Sequence, residues 1–160
     1  MPKLELLRQD HAPALLAFEQ QNRTYFAASV PDRGNDYFEN FAVRHKTLLA
    51  EQATGDCLFH VLVEDDGEIV GRVNLVDVAH GAAELGYRIA EKATGQGLAT
   101  NAVNEISELA ATEYGLTTLR AATTKDNPAS HTVLTRTGFH PTGDTTLEGR
   151  PALTYTKRLR

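Results

Sequence analysis

The sequence predicts an α/β domain built on a mixed β-sheet. Two strand patterns, at residues 58–63 and 69–78, are separated by Asp-Asp-Gly, which predicts an antiparallel hairpin closed by a type I′ turn. A helical pattern at 97–114 lies between strand patterns at 82–90 and 117–124. Such a strand–helix–strand unit implies a right-handed crossover between parallel strands. A sheet that holds both kinds of pair is mixed.

Two helices are predicted before the sheet. The chain begins with a short apolar segment around Leu4, and Asp10 can then cap a helix that runs to about residue 22. After a loop, a second helix is predicted at about 36–52, and Gly55 marks its end.

One more helix and two more strands are predicted after the crossover. Asn127-Pro128 begins the helix, because proline suits the first helical position, and Thr137-Gly138 ends it. The strands run from Phe139 onward and over about 152–159, joined by a turn at Glu148-Gly149. The predicted order is two helices, three antiparallel strands, a helix, a strand, a helix and two strands.

Length and composition indicate one globular domain. The chain has 160 residues, enough to build a core without disulfides, and it shows no internal repeat or low-complexity linker. Sixteen basic against 21 acidic residues give a net charge of -5. This balance disfavours nucleic acid and anionic membranes as partners, because both need a basic face. The same negative charge is compatible with a cationic acceptor.

Cysteine and histidine usage argues against disulfides and metal. Cys57 is the only cysteine, so the chain has neither an internal disulfide nor a CxxC pair for zinc. The six histidines show no metal-ligand spacing. The sequence has no apolar stretch of membrane-spanning length and no secretory leader pattern. We therefore expect a cytoplasmic protein without metal.

The most informative segment is residues 89–100, where a strand runs through a glycine turn into an amphipathic helix. Gly95 and Gly97 would let an anion approach the unpaired N–H groups of the first helical turn, which predicts a phosphate or pyrophosphate site. The alternative is a plain strand-to-helix turn. A dinucleotide fingerprint is excluded because its third glycine would fall at Thr100, and a P-loop is excluded because Leu98 follows Gly97.

Two motifs resemble those of the GNAT acetyltransferase superfamily. The first, Lys92-Ala93-Thr94-Gly95-Gln96-Gly97, is similar to the family's pantetheine-pyrophosphate motif, although Arg or Gln is commoner at the first position. The second is Asp126-Asn127-Pro128-Ala129-Ser130 followed by Thr137-Gly138-Phe139, which resembles the family's Asn-x-x-Ser/Ala and Gly-Phe segment. Further segments, at 22–26, 85–87 and 97–103, resemble the Rim-type branch of ribosomal-protein N-terminal acetyltransferases. The resemblance covers nearly the whole chain.

This resemblance implies a fold and a co-substrate. The GNAT fold is a single domain, here residues 1–160, with a splayed mixed sheet of about seven strands flanked by about four helices. The donor would be acetyl-CoA, with no metal. Its pantetheine arm would lie in a gap between the strand that ends near Ile89 and the strand that ends near Thr124. Backbone groups freed by the gap can pair with the arm's amides as an added strand would.

Contacts to acetyl-CoA are assigned on the same basis. Ile89 would pair with the arm through its backbone, and Asn127 would contact the arm through its side chain. Lys92 would lie near the pyrophosphate as a point charge. The backbone N–H groups of the glycine turn and the Thr100 hydroxyl would hold the pyrophosphate, in a segment comprising Gly95, Gln96, Gly97, Leu98, Ala99 and Thr100.

Acetyl transfer to an amine needs a neutral amine and a proton for the departing thiolate. Many relatives supply this proton from a tyrosine whose position here is Leu134, whereas Rim-type enzymes are thought to use a serine, so the resemblance points to Ser130. Without the resemblance, Ser130 would be a surface or capping residue. Glu84 is the predicted base, and its alternative is a surface pair with Arg88. The family's other carboxylate has no clear counterpart beyond Asp144.

The predicted acceptor is a protein or peptide N-terminal α-amine. With a pKa of about 8, roughly a tenth of such amines are neutral at pH 7, against fewer than about one in a thousand lysines. The predicted acceptor contacts are Asn22, Arg23 and Tyr25. Acidic residues expected near the cleft would attract a cation; these are Asp32, Asp36, Glu39 and Glu84. A small amine such as an antibiotic or polyamine, and a CoA-binding domain without turnover, remain alternatives, and a homodimer is compatible with each.

Overall fold

The computed structural model describes residues 1–159. Within them, seven strands form one sheet in the spatial order β1-β2-β3-β4-β5-β7-β6. The strands are β1 Lys3–Leu6, β2 Leu58–Val63, β3 Ile69–Ala79, β4 Ala82–Ile89, β5 Thr118–Thr124, β6 His140–Leu147 and β7 Arg150–Arg158. The same residues form six helices: α1 Ala12–Gln21, α2 Arg23–Ala27, α3 Asn35–Glu39, α4 Phe41–Thr54, α5 Leu98–Thr112 and α6 Pro128–Arg136.

The sheet is mixed, as predicted. β4 and β5 pair in parallel, α5 makes the crossover between them, and the other neighbouring strands pair antiparallel. The order departs from the prediction at the chain's start, where β1 pairs with the edge of β2 ahead of the first helix. Four residues are too few for alternation to indicate a strand, so only pairing with β2 reveals β1.

The helices before β2 differ from the prediction in number. The predicted helix at 36–52 is divided into α3 and α4 at Asn40, whose side-chain amide donates to the Asp36 carbonyl at 3.2 Å and to the Asp36 carboxylate at 2.8 Å. An asparagine side chain that bonds to the backbone in this way competes with helix continuation. α2 follows α1 directly after Asn22, where the sequence predicted a loop.

The two hairpin turns at residues 65–67 and 148–149 differ in geometry. The type I′ turn predicted between β2 and β3 is wrong, because Gly67 N–H donates to the Glu64 carbonyl at 2.9 Å and only Gly67 in that loop is left-handed, with φ 90°. The loop is therefore a three-residue connection. A two-residue left-handed turn instead joins β6 to β7, where Glu148 and Gly149 have φ 50° and 76°.

The core lies between the sheet and the helices. α5 buries one face over its whole length, with Leu98, Ala102, Val103, Ile106 and Ala110 all buried, as the helical spacing predicted. No helix within residues 1–159 combines the length and apolar character needed to cross a bilayer.

His60 predicts a loss of stability in acid. Its side chain is buried in β2, with Nε2 2.7 Å from the Tyr114 hydroxyl, and burial lowers its pKa to about 4. The unfolded chain protonates His60 near pH 6.5, whereas the folded protein resists protonation until about pH 4. The stability that neutral His60 contributes is therefore fully present above about pH 6.5 and is lost as the pH falls from 6.5 towards 4. We expect a loss of about 2 kcal/mol from this group at pH 5.

Urea unfolding of the wild type and of His60→Gln at pH 7 and pH 5 measures this loss. The His60→Gln variant should show a smaller decrease in unfolding free energy between the two pH values than the wild type. His140→Gln, at an exposed histidine, is the matched control and should retain the wild-type decrease. Equal decreases in the wild type and His60→Gln would contradict the prediction.

Candidate functional site

A gap between β4 and β5 forms a cavity. The two strands pair only where Ala82–Glu84 meets Thr118–Arg120, and beyond these three residue pairs they separate. β4 stays paired with β3 as far as Ile89, and β5 stays paired with β7 as far as Thr124. The inner edges of both strands therefore lack a strand partner where they line a cavity of about 610 Å³. The splayed sheet expected from the sequence is confirmed.

Residues on both faces of the sheet line the cavity. Side chains alternate along β4, so Tyr87 points towards α6, where it contacts Ser130, and Arg88 points towards α1 and α2, where it contacts Glu19 and Phe26. Residues of α2, α5 and α6 all line the cavity. It therefore passes through the sheet and has one wall on each face.

The glycine turn lies at the α5 wall. Gly95 and Gly97 both have φ 76°, and a Cβ atom added at either position would meet no neighbouring heavy atom within 4 Å. α5 begins at Leu98 without a side-chain cap, so the N–H groups of its first turn are unsatisfied by the helix. Open space, unpaired donors and the positive end of a 15-residue helix make this wall suitable for a phosphate-sized anion.

Two hydroxyl groups meet at the α6 wall. Asn127 Oδ1 accepts from the Ser130 N–H at 3.2 Å and so caps α6. Ser130 Oγ lies 3.3 Å from the Tyr87 hydroxyl, and both residues line the cavity. Burial raises the pKa of Tyr87, so its hydroxyl keeps its proton at neutral pH. Tyr87 lies in the segment 85–87, whose resemblance to the Rim-type branch gives this tyrosine no role.

Arg150 connects the segments that form the cavity wall near α2, opposite α5 and α6. Its Nη1 donates to the Ser29 carbonyl at 2.9 Å, and its Nη2 bonds to Asp126. These contacts hold the β6–β7 turn, which contains Glu148, against the segment that follows α2. Glu148 is the only acidic residue among those that line the cavity within residues 1–159.

A buried ionic cluster supports the wall on the α1 and α2 face. Glu19, of which 1% is exposed, accepts from Arg33 at 3.1 Å, Arg72 at 2.8 Å and Arg88 at 3.1 Å. Burial by itself would raise the pKa of Glu19, but the attraction of Arg72 and Arg33 lowers it below its ordinary value. Arg72 and Arg88 lie directly opposite each other on β3 and β4. Glu19 therefore offsets a like-charge pair that would otherwise destabilise the sheet.

The chain matches a known protein family over most of its length. The family model for the acetyltransferase (GNAT) domain matches residues 3–140.

The chain belongs to the GNAT acetyltransferase family.

Relatives and solved GNAT structures agree with this assignment. The chain is 28% identical over 134 residues to a probable N-acetyltransferase of Bacillus subtilis, YjcK, across 80% of this chain and 74% of the relative. The structure of Mycobacterium smegmatis RimJ in complex with CoA-disulfide superposes with a TM-score of 0.84 at 27% identity, covering 97% and 80% of the two chains. The ribosomal-protein-S5-alanine acetyltransferase of Vibrio fischeri superposes at 0.90 with 21% identity, covering 97% and 91%. The chain is thus an N-acetyltransferase of a family that uses acetyl-CoA.

Most residues predicted to contact acetyl-CoA line the GNAT cavity. Those that do are Ile89, Gly95, Gly97, Leu98, Ala99, Thr100 and Asn127. Lys92 and Gln96 do not: the Lys92 ammonium group pairs with Glu68 on the β2–β3 hairpin, and Gln96 Nε2 donates to the Lys92 carbonyl at 3.4 Å.

The predicted acid and base are separated in the structure. Ser130 lines the cavity, but Glu84 belongs to the paired half of β4 and lies outside the lining. Arg88 pairs with Glu19, so the alternative pair between Glu84 and Arg88 does not form. Asp144 pairs with Lys125 at 2.9 Å. The sequence indicates Glu148 only as part of a turn, through the Glu-Gly pair at the tip of the predicted hairpin.

Of the three predicted acceptor contacts, only Tyr25 lines the cavity. Asn22 is buried: its amide donates to the Phe18 carbonyl at 2.8 Å, and its Oδ1 accepts from the Glu91 N–H at 2.9 Å, which ties α1 to the end of β4. Arg23 forms a two-bond pair with Asp32 at 2.9 and 2.8 Å, and this pairing lowers the pKa of Asp32 to about 2.

Proposed function

We propose that this protein transfers the acetyl group of acetyl-CoA to the N-terminal α-amine of a peptide or protein. The observation that carries the proposal is the cavity through the sheet, with the unpaired N–H groups at the start of α5 on one wall and the acidic residue Glu148 on the other. The donor would enter along α5 and α6, and the acceptor would enter past Tyr25 and Glu148. An amine and a thioester that approach from opposite faces can meet in the gap.

Donor binding would use the unpaired backbone. The pyrophosphate would accept from N–H groups of residues 96–100 and from the Thr100 hydroxyl, at the positive end of α5. The pantetheine amides would pair with the inner edge of β4 at Ile89. The Asn127 amide Nδ2 remains for the arm, because its Oδ1 caps α6. Lys92, held by Glu68, would add only a distant positive charge.

Proton transfer would involve both walls. As the amine nitrogen bonds to the thioester carbonyl carbon and the carbon–sulfur bond breaks, the nitrogen must lose a proton and the sulfur must gain one. Ser130 would protonate the sulfur, and the neutral Tyr87 hydroxyl beside it can supply a replacement proton. Two carboxylates are candidates for the amine proton, Glu84 from the sequence and Glu148 from the cavity. We favour Glu148 because it lines the cavity.

Removal of the Ser130 hydroxyl should slow acetyl transfer. A positioned general acid contributes about a hundredfold or more to the rate, so Ser130→Ala should lower kcat by that order. Acetyl-CoA affinity, measured by calorimetry, should be unchanged because the assigned donor contacts lie elsewhere. Thr132→Ala, at an exposed hydroxyl on the same helix, should retain kcat. Full activity of Ser130→Ala would remove this serine from the acid role.

Substitution of the two carboxylates should identify the base. Glu148→Gln should lower kcat/KM at neutral pH by about a hundredfold, because the amide cannot accept the amine proton. The deficit should shrink as the pH rises and more acceptor amine is already neutral. Glu84→Gln is the matched change outside the cavity and should keep most of the activity. The reverse ranking of the two variants would assign the base to Glu84.

A thiol-release assay with acetyl-CoA tests the proposed function. The acceptor panel compares N-terminal peptides, lysine peptides with blocked N-termini, spermidine and an aminoglycoside. Release that is fastest with N-terminal peptides supports the proposal, and release that is fastest with a small amine selects the other acceptor class. Binding of CoA without release for any amine would refute the enzymatic function. The lone Cys57 and the Rim-type resemblance support a cytoplasmic site of action.

A further inference from the structure

We propose that the acceptor carries a carboxylate close to the amine that is acetylated, and that Arg88 binds this carboxylate. The inference rests on the proposed acetyl transfer to an α-amine and specifies a second chemical group of the acceptor. Two sources share this chemistry, an acidic side chain at the start of a peptide and the α-carboxylate of a free amino acid.

The acceptor wall has more positive than negative charge. The charged residues that line the cavity within residues 1–159 are Arg88, Arg150 and Glu148. Arg150 is paired with Asp126. Arg88, in contrast, shares Glu19 with two other guanidinium groups, those of Arg33 and Arg72. Three positive charges around one carboxylate leave two positive charges uncompensated, and Arg88 is the member of the cluster that lines the cavity.

Arg88 is well placed to bind an anion. Its guanidinium stacks over the Phe26 ring at 4.5 Å, and its Nη1 donates to Glu19 at 3.1 Å, which fixes the plane of the group. A guanidinium has five N–H donors, so most of them remain for a ligand. The Arg88 side chain is 22% exposed, and a charge-assisted hydrogen bond at such a partly buried site is stronger than one in open water. Burial and the neighbouring Arg33 lower the pKa of Arg88, in keeping with a positive charge that the shared Glu19 does not fully offset.

Arg88 and Glu148 belong to one continuous wall. Phe26, which stacks on Arg88, accepts through its carbonyl from the Ser29 N–H at 3.0 Å. The Ser29 carbonyl in turn accepts from Arg150, two residues after Glu148. The wall therefore offers a carboxylate for an amine and a guanidinium for a carboxylate. A polyamine would bring a second cation towards Arg88 and its uncompensated cluster, so the wall disfavours that acceptor.

Paired peptides that differ only in the first residue test this inference. We compare kcat/KM for peptides that begin with Asp or Asn, and with Glu or Gln, in the wild type with acetyl-CoA. A charge-assisted bond predicts that the acidic peptide is preferred by about tenfold or more. Free alanine against alaninamide tests the second source of the carboxylate. Preference in the peptide pairs alone assigns a side-chain carboxylate, and preference in the alanine pair alone assigns an α-carboxylate.

Variants of the cluster assign the preference to Arg88. Arg88→Gln should abolish it and Arg88→Lys should keep part of it, while acetyl-CoA affinity stays at the wild-type value in both. Arg33→Gln is the matched control, because it removes a guanidinium from the same cluster outside the cavity lining, and it should keep the preference. Equal kcat/KM for acidic and amide acceptors in the wild type, or an intact preference in Arg88→Gln, would overturn the inference.

Failure of the inference and failure of the proposed function are distinguishable. Acetylation without acidic preference overturns the inference alone, whereas CoA binding without acetylation of any amine overturns the proposed function. In that second case, calorimetry of the Asp and Asn peptides with the CoA-bound protein still decides the inference. Tighter binding of the Asp peptide supports it, and equal binding overturns it.

Discussion

Glu19→Gln should lower the free energy of unfolding by about 3–5 kcal/mol, because it leaves buried charges without their partner. Glu19 is 1% exposed and is bonded to three guanidinium groups, one of which, Arg72, is itself buried. A neutral amide fills the same space and can still accept hydrogen bonds. The loss would therefore report the missing negative charge and not a cavity.

Urea unfolding at pH 7 measures this loss. The matched control is Glu51→Gln, which makes the same chemical change at an exposed position on α4 and should alter stability by less than about 0.5 kcal/mol. Equal stability of Glu19→Gln and the control would show that the three arginines do not depend on this carboxylate.

Gly97→Trp should abolish acetyl-CoA binding. The position has φ 76° and open space where a Cβ would lie, at the start of α5 and on the cavity wall. An indole ring there would occupy the proposed pyrophosphate site and block the N–H groups of the first helical turn. Loss of several charge-assisted bonds predicts a rise in Kd of at least about a hundredfold, measured by calorimetry.

Two controls separate blockage from backbone strain. Gly97→Ala imposes the same left-handed conformation on a small side chain and should weaken binding much less than Gly97→Trp. Gly67→Trp places the same ring at a left-handed glycine of the β2–β3 turn, also facing open space, and should leave binding intact. An unchanged Kd in Gly97→Trp would refute the assignment of the glycine turn to the pyrophosphate.

Local patterns predicted the elements whose structure is determined locally. The glycine turn, the α5 face and the capped start of α6 are encoded within a few residues each, so spacing alone indicated them. The break at Asn40 was missed because it depends on a side-chain bond to Asp36, which the apolar spacing of 36–52 does not record. β1 was missed because its partner lies more than 50 residues away.

The sequence motifs indicated most of the cavity-lining residues of the glycine turn, α5 and α6, but on the opposite wall only Tyr25. Gly97 and Ser130 lie in continuous motifs, and both line the cavity. The wall proposed for the acceptor is assembled from distant segments: Arg88 meets Glu19 across 69 residues, and Arg150 meets Ser29 across 121. No sequence spacing reports such contacts. Asn22 illustrates the same limit, because its polar side chain was assigned to the acceptor although the fold uses it to join α1 to the end of β4.

Because only three residue pairs join β4 and β5, the backbone hydrogen bonding is incomplete at the centre of the sheet. In most sheets such a gap between two inner strands would be unfavourable, since full pairing would satisfy the backbone groups on both edges. In the proposed reaction the two substrates meet in this gap. A substitution that extended the pairing beyond Glu84 and Arg120 would satisfy more backbone groups and would also close the space in which the substrates meet. The proposed activity therefore requires strands that stay incompletely bonded at the centre of the sheet.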